Sequence, residues 1–340
     1  MGNPKLKPEL YEEIEIGLET KFLDNRVSLD FSYYDRQTTD LITDRDLPPS
    51  TGFSFTQVNI GKLDGYGFEV DLAINPVRNE GTGFNWNINT NYTKYRTTVT
   101  DLGLDDVSQI VYSGFTNLGN AAIEGEPFST IVGTSVLRDE NGNFVVDATG
   151  NYVEAPGVNI IGDATPDFIV NVSNSVSWRG FNLSFLASYT HGGDIYSGTI
   201  GGLLARGITE DTNDRLNTFI LPGVKEDGTP NDIQINASGY YFDNLGFGPN
   251  ELQVYDASVI RLNEVSLAYD VPKQFLDNTP FGSVSFTFAG YNLYYDAINT
   301  PDHINFDPNV IGVGVGNGRG LDFINGPSGK RFGFTVKATF

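Results

Sequence analysis

Residues 168–189 read FIVNVSNSVSWRGFNLSFLASY. Phe168, Val170, Val172, Val176 and Trp178 occupy one parity, and Asn171, Ser173, Ser175 and Ser177 the other. The pair Arg179-Gly180 interrupts the run, and the alternation restarts with Phe181, Leu183, Phe185, Ala187 and Tyr189. Successive side chains of a strand point to opposite faces, so a period of two predicts two antiparallel strands joined by a tight turn, each with one apolar and one polar face. Ordinary strands average about 5–6 residues. These two are closer to the ~9–11 residues a tilted strand needs to cross a bilayer.

The same pattern recurs on both sides. Ile14, Ile16, Leu18 and Phe22 oppose Glu13, Glu15, Glu19 and Lys21, and after Asp24-Asn25 come Val27, Leu29, Phe31 and Tyr33. Phe68, Val70, Leu72 and Ile74 oppose Glu69, Asp71 and Asn75; Phe84, Trp86, Ile88, Thr90 and Tyr92 oppose Asn85, Asn87, Asn89 and Asn91. Later strands cover roughly Val259 to Val271 and Ser283 to Tyr295, and the last carries Phe332, Phe334, Val336, Ala338 and Phe340. The pattern predicts about nine strands of roughly 9–15 residues. Aromatics such as Phe22, Phe84, Tyr92, Phe168, Trp178, Phe181 and Tyr189 stand at the ends of the apolar rows, as interfacial girdles do. Two strands break phase: Ile260 and Leu262 against Val265, Leu267 and Tyr269, and Val284, Phe286 and Phe288 against Tyr291, Leu293 and Tyr295. Either a bulge shifts the face, or one end lies beyond the bilayer. Connections near 23–26, 76–83, 178–181 and 272–282 are short; those near 43–56, 100–166, 190–256 and 296–330 are long. Short turns at one end and long loops at the other are the habit of outer-membrane barrels. The fold class expected is all-β: an antiparallel transmembrane β-barrel, partial, with long extracellular loops. A secreted β-sandwich or solenoid is the bland alternative.

Composition limits the function. The 340 residues hold 21 Lys plus Arg against 43 Asp plus Glu, a net charge of −22, with 39 Gly, 24 Phe, 17 Tyr and no Cys. So acidic a chain is not a nucleic-acid binder. The lack of Cys removes disulfides, Cys-type zinc sites and cysteine nucleophiles. No run of about 20 apolar residues forms a transmembrane helix, and Met1 to Lys5 has no apolar signal core. An envelope location therefore implies an upstream segment.

Several segments resemble a known family. Asn3-Pro4 with Leu6-Lys7-Pro8-Glu9 and Glu15-Ile16-Gly17-Leu18 are similar to the "NPxLKPE…EIGL" entry strand of SusC/RagA-type TonB-linked outer-membrane transporters. Leu47 to Phe53 with Asn59-Ile60-Gly61 resembles "LPPSTGF…NxG", and Gly65 with Gly67-Phe68-Glu69 resembles "NxGxE". Ile161 to Phe168 resembles "xGxxxPxF", Ser258 to Tyr269 the late "SFLRLKNITLGY" strand, and Tyr291-Asn292-Leu293 "xNL". The stretch from Asp139 to Tyr152 departs from the family's "GDxxYxDxNGDGxI". The resemblance implies a barrel of about 22 strands around a plug. Residues 1–340 would be its C-terminal portion, with the plug domain and signal peptide absent from this chain. It further implies energising by the TonB system through the missing N-terminal part, a SusD-like lipoprotein over the mouth, residence in the lipid bilayer of a Gram-negative outer membrane, and recognition of terminal Phe340 by the barrel-assembly machinery. The implied function is import of glycans or oligosaccharides, with peptides possible.

No catalytic constellation stands out, and no enzyme, cofactor or metal is expected. His191 and His303 fall in loops; Asp194 lies near the first, Asp302 and Asp307 near the second. Gly312 to Gly320 lacks the G-x-G-x-x-G spacing, and Gly326 to Lys330 is too short for a P-loop. Asp139 to Asp147 lacks the EF-hand order and reads as an acidic turn, with calcium left open. The acid collects in loops at Asp101, Asp105 and Asp106, at Glu210, Asp211 and Asp214, and at Glu226, Asp227 and Asp232. The ligand-binding candidates are the amides of Asn85, Asn87, Asn89 and Asn91, each offering donors and an acceptor, and the aromatic run Tyr240-Tyr241-Phe242. A hydrated lumen wall is their plainer reading. Competing functions are a non-energised channel or adhesin barrel, and a secreted β-rich glycan-binding module.

Overall fold

Arg179 and Gly180 both sit at positive φ, 48° and 89°, as the two-residue hairpin between Trp178 and Phe181 requires. A Cβ at Gly180 would lie 2.7 Å from the Asp270 carbonyl oxygen, so only glycine fits there. Leu23, Asp24 and Asn25 turn the chain the same way at the first hairpin. A computed structural model describes residues 2–79, 81, 83–103, 107–309, 312 and 317–340. Such turns and four longer connections join nine wall strands: β1 (Leu10–Phe22), β2 (Val27–Asp46), β3 (Phe55–Asn79), β4 (Phe84–Asp101), β5 (Phe168–Trp178), β6 (Phe181–His191), β7 (Val259–Asp270), β8 (Ser283–Ala297) and β9 (Arg331–Thr339). They form one antiparallel sheet in which spatial order equals chain order.

The register aligns the apolar positions across strands. Leu18, Phe31, Val70, Tyr92, Val170, Tyr189 and Ile260 pair in one row from β1 to β7. One residue away, on the opposite face, runs Glu19, Asp30, Asp71, Asn91, Asn171, Ser188, Arg261 and Tyr295. The apolar side chains stay open: Leu18 is 57% exposed, Leu183 47% and Phe334 67%. Aromatics border the apolar face at two levels. Phe68, Tyr92, Phe168 and Tyr189 touch in sequence at 5.5–5.8 Å between ring centres, and Phe181 meets Tyr269 at 4.6 Å at the other level. Tyr189 and Phe181 are eight residues apart, about 26 Å along a strand, comparable with the ~25 Å apolar band of a membrane barrel. An amide also stands on the apolar face. Asn174 lies between Ile88 and Phe185, and its Oδ1 accepts a hydrogen bond from Trp86 Nε1 at 3.2 Å. Hydrocarbon satisfies no polar group, so a partner within the wall is required there.

The phase break on β7 is a bulge, and the apparent one on β8 is a run of aromatics on the polar face. Between the pairs Leu262–Tyr294 and Glu264–Tyr291, β7 has one unpaired residue, Asn263, and β8 has two, Asn292 and Leu293. Asn292 takes a positive φ of 53°. On β7 the bulge keeps Ile260 and Leu262 on the same face as Val265, Leu267 and Tyr269. On β8 the two extra residues leave the parity unchanged: Phe288 and Tyr294 share the outer face with Leu267 and Leu262, and Tyr291 and Tyr295 lie on the polar face, opposite Glu264 and Arg261. A third irregularity holds Asn75-Pro76 against Asn87, where proline's missing donor costs no ladder bond.

Two expectations need correction. β2, β3 and β4 run to 20, 25 and 18 residues, beyond the expected range. The connection expected over 43–56 is a tight one over 47–54, because pairs such as Leu41–Ile60 and Thr43–Val58 continue the ladder. Backbone pairing needs no apolar alternation, so the sequence pattern faded before the strands did. The other three long connections fold into a cap. It contains a four-stranded sheet (Gln109–Phe115, Leu118–Ile123, Thr130–Gly133, Asn159–Asp163), a three-stranded sheet (Asp194–Ser197, Val254–Asp256, Leu321–Asp322) and a helix, α1 (Gly198–Ala205). The buried apolar clusters lie there and at its seam with the wall. Ile195, Ile200, Leu204, Ile304 and Phe306 form one, Leu118, Ile131, Tyr196 and Leu321 another, and Ile60, Leu63, Val99, Ile110 and Tyr112 a third.

Candidate functional site

The cap rests on the polar face of the wall, which identifies that face as the inside. Arg319 donates to the Tyr95 hydroxyl on β4 and lies over its ring at 5.7 Å. Arg261 on β7 reaches up to Asp307, donating from Nη1 to Oδ2 at 3.1 Å, and Nη1 also donates to Asn292 Oδ1 at 2.7 Å. Both members of the ion pair are buried, at 8% and 3% side-chain exposure. Burial pushes the Asp307 carboxyl up, but the Arg261 hydrogen bonds outweigh it and hold the group below the usual carboxylate range. The β7–β8 bulge presents Asn292 to this pair, so a local irregularity of the wall anchors the last long connection.

The inner face is graded across the strands. Glu15, Glu19, Asp30, Glu69 and Asp71 line an open recess of about 400 Å³ on β1–β3. Glu19, Asp30 and Asp71 stand directly opposite one another. Among the described residues none of these carboxylates has an ion-pair partner; Asp71 accepts from Asn91 Nδ2 at 2.9 Å. The middle strands carry amides and hydroxyls. Asn91 pairs with Asn171, Asn89 with Ser173, Asn87 with Ser175 and Asn85 with Ser177. Asn85 and Asn87 line a second recess of about 300 Å³ with Arg78 and Ser177. The alternation at Glu13, Glu15 and Glu19 shows in the sequence, but an acidic band appears only once the register sets Asp30 and Asp71 beside it.

Tyr240, Tyr241 and Phe242 begin a short π-helical segment, Tyr240–Gly246, in the cap. Tyr240 packs edge-on against Phe219 at 5.3 Å. The Tyr241 hydroxyl donates to the Asp211 carbonyl at 2.7 Å and to Asp214 Oδ1 at 3.0 Å. Burial, with the Asp214 hydrogen bond, pushes that phenol up to about 12. Phe242 is half exposed and leans on Phe247 at 4.8 Å. Among the described residues no hydrogen bond or ring contact joins these aromatics to Asn85, Asn87, Asn89 or Asn91.

The remaining sequence candidates take structural places. His303 Nδ1 lies 3.2 Å from Asp211 Oδ1, so its partner comes from a distant loop rather than from neighbouring Asp302 or Asp307. The Tyr189 hydroxyl and His191 Nδ1 share a hydrogen bond at 3.0 Å, while Asp194 Oδ2 accepts from the Asp163 amide at 2.8 Å. Asp139 Oδ1 accepts from the amides of Asn141 and Asn143 and Oδ2 from Asn143 Nδ2, which holds the carboxyl below its ordinary value. Asp147 caps a second turn in the same way, through Thr149 and Asn151. Asp105, Asp106 and Val313 to Gly316 lie outside the described residues; beyond them, the Gly320 carbonyl oxygen accepts a hydrogen bond from the Tyr196 amide at 2.9 Å.

A meandering antiparallel sheet, apolar outside, polar within and covered by its own long connections at one end, is the wall of an outer-membrane β-barrel. The family profile described as "TonB dependent receptor-like, beta-barrel" matches residues 1–301, and the chain belongs to that family. It is a family of outer-membrane transporters and receptors of Gram-negative bacteria, not of enzymes. "TonB-dependent receptor P3" of Formosa agariphila is 27% identical over 371 residues, covering 100% of this chain and 35% of that protein. "TonB-dependent receptor SusC" of Bacteroides thetaiotaomicron is 27% identical over 197 residues, 54% of this chain and 19% of that protein. Among solved structures, the RagAB peptide transporter superposes with a TM-score of 0.65 at 19% identity, covering 100% of this chain and 36% of that one. The SusC/RagA resemblance seen in the motif order thus recurs in both relatives and fold. The chain spans about a third of the length of the curated relatives it matches first.

Proposed function

We propose that this chain supplies the C-terminal barrel wall and outer loops of a SusC-like, TonB-dependent importer, with the plug domain and signal peptide in other parts of the same protein. The observation that carries this is the alignment of an apolar row and a polar row across successive strands, with the cap seated on the polar side. A wall built this way serves as lipid contact outside and hydrated passage inside. The matched span of about a third of each relative agrees with the division into wall and remainder. On this reading the partners are the lipid bilayer, a SusD-like lipoprotein over the mouth, and the TonB system acting through the N-terminal part. The site is the outer membrane of a Gram-negative bacterium.

The cargo we propose is glycans or oligosaccharides. Uncharged amides and hydroxyls in the centre of the inner face, Asn85 to Asn91 with Ser173 to Ser177, suit the mixed donors and acceptors of a sugar. Peptides are the second reading, favoured by the fold shared with the RagAB peptide transporter. The test is uptake of labelled oligosaccharides and peptides by cells carrying the full-length protein, with and without TonB. TonB-dependent uptake of oligosaccharides is expected. Uptake that persists without TonB points to a non-energised channel and overturns the importer reading, whereas peptide uptake alone overturns the cargo.

A further inference from the structure

A cavity of about 440 Å³ lies where α1 meets the last long connection. Leu203, Ile304, Phe306 and Pro327 give it apolar walls, and Tyr295 of β8 contributes a ring. Drug-sized and cofactor pockets of this kind run from about 300 to 1,000 Å³, mostly apolar with a few polar groups that fix orientation. Unpaired polar atoms gather around this one. Among the described residues, the buried side-chain atoms without a hydrogen-bond partner include Thr199 Oγ1, Thr209 Oγ1 and Asn325 Nδ2, and all three residues line the cavity. Asp211 Oδ2 is a fourth such atom, on the residue that holds His303, another member of the lining. Buried polar groups are nearly always paired in native proteins, so several unpaired ones around one void call for a guest that pairs them.

The guest's chemistry follows from the lining. Two hydroxyls and an amide offer both donors and acceptors without net charge. Aromatic and aliphatic walls suit the C–H faces of a ring. Asp307, which also lines the cavity, is already neutralised by Arg261. Glu210 and Asp214 stand close by, the first 3.6 Å from His303 and the second on Tyr241, and their field repels anions. A half-open cavity of this volume takes one or two rings rather than an extended chain.

We propose that this cavity, formed by α1, residues 303–307 and residues 325–327, is a binding site for an uncharged sugar unit, with Thr199, Thr209 and Asn325 as its hydrogen-bonding groups and Tyr295 as its ring platform. The proposal rests on the importer reading and names the cargo that its cap would select. Gly326 gives a clean probe: it lines the cavity, lacks a positive φ, and a Cβ there meets nothing within 4 Å. A bulky side chain can therefore be introduced at this point of the lining without a clash at its Cβ, and Gly326→Phe is the occluding variant.

The experiment uses the full-length protein purified in detergent. Binding of short neutral gluco-, xylo- and manno-oligosaccharides is measured by calorimetry, beside their sulfated or uronate counterparts and a set of short peptides. The expected result is binding of at least one neutral oligosaccharide, weaker binding of its anionic counterpart, and a loss of roughly tenfold or more in Gly326→Phe. Thr199→Val and Asn325→Leu, which each remove one hydrogen-bonding group at near-constant volume, should each weaken binding by roughly five- to tenfold. Heat-modifiable gel mobility, unchanged across the variants, shows that the barrel is intact. No binding of any neutral oligosaccharide, binding indifferent to Gly326→Phe, or peptide binding abolished by it each overturns the proposal. TonB-dependent uptake without sugar binding overturns the site and leaves the importer standing. Sugar binding with TonB-independent uptake upholds the site and overturns the importer.

Discussion

In the wall, Leu18 and Phe334 remain 57% and 67% exposed, while in the cap above it Ile131, Ile195 and Leu321 are fully buried. The wall's apolar side chains face outward and are covered by lipid on the proposed reading; those of the cap face one another. The two regions therefore obey different solvents. A polar atom on the outer wall must find a partner in the protein, as Asn174 does with Trp86. In the cap, apolar burial follows the ordinary aqueous hydrophobic effect. The comparison also locates fragility: the wall is held by long continuous ladders, and the cap is tied to it by the apolar seam around Ile60, Val99 and Ile110 and by polar links that include the buried ion pair Arg261–Asp307.

The largest expected effect tests that tie. Asp307→Leu leaves Arg261 charged and unpaired in a buried site, which should destabilise the cap by about 3–5 kcal/mol. Hydrogen exchange should show lost protection over 296–330 with the wall unchanged. Arg261→Met with Asp307→Leu should recover much of it, and wild-type protection in the single variant would break the comparison. The pH dependence has a definite sign. Asp307 titrates below the ordinary carboxylate value of about 3.9. Its contribution is thus complete above that value and fades as pH falls through the lower folded value. Cap protection should survive mild acid and fall in strong acid; loss during mild acidification would contradict the assignment.

The next effect tests the facing of the wall. Val172→Arg places a charge toward lipid and should cost about 2–4 kcal/mol near the midplane. Ser173→Arg, toward the interior, should cost far less. The readout is folded barrel recovered from the outer membrane; equal tolerance would reverse the assigned faces. Trp86→Phe is smaller. It removes the donor to Asn174 and should cost about 1–3 kcal/mol, measured by thermal unfolding in detergent. Asn174→Leu in that background should restore stability. Smallest is Asp30→Asn, which relieves like charges facing one another across β1–β3. It should stabilise the wall by about 0.2–1 kcal/mol in the same assay, and a loss of stability would show that the acidic band is already compensated.

The wall was legible because its chemistry repeats with the backbone. Each strand announces itself through residues such as Val170, Val172 and Val176 against Asn171, Ser173 and Ser175. The upper ends of β2 and β3 were not legible, since Thr38, Thr39, Lys62 and Asp64 pair through the backbone without alternating. The apparent phase breaks at Leu262 and Tyr291 were visible as anomalies, but a bulge, a strand end and aromatics on the inner face leave the same sequence trace. Only the register separates them. The inner amides at Asn85 to Asn91 were found because four equal residues share one parity. The acidic band escaped because it depends on which residue faces which across three strands. The cap was the least legible: Arg261 and Asp307 are 46 residues apart, and no local pattern links them.

The cap's connections also share strands. Tyr196-Ser197 pairs in parallel with Leu321-Asp322, and Val145-Val146 in parallel with Val224-Lys225, each pair drawn from two different connections. The loops are therefore knitted rather than stacked, and none is an exchangeable cassette. A relative's loop grafted alone would arrive without the strand it must hold. Sequence drift in one connection has to be answered in another, so lineages that change what they recognise should change their outer loops together while the meander beneath them stays the same.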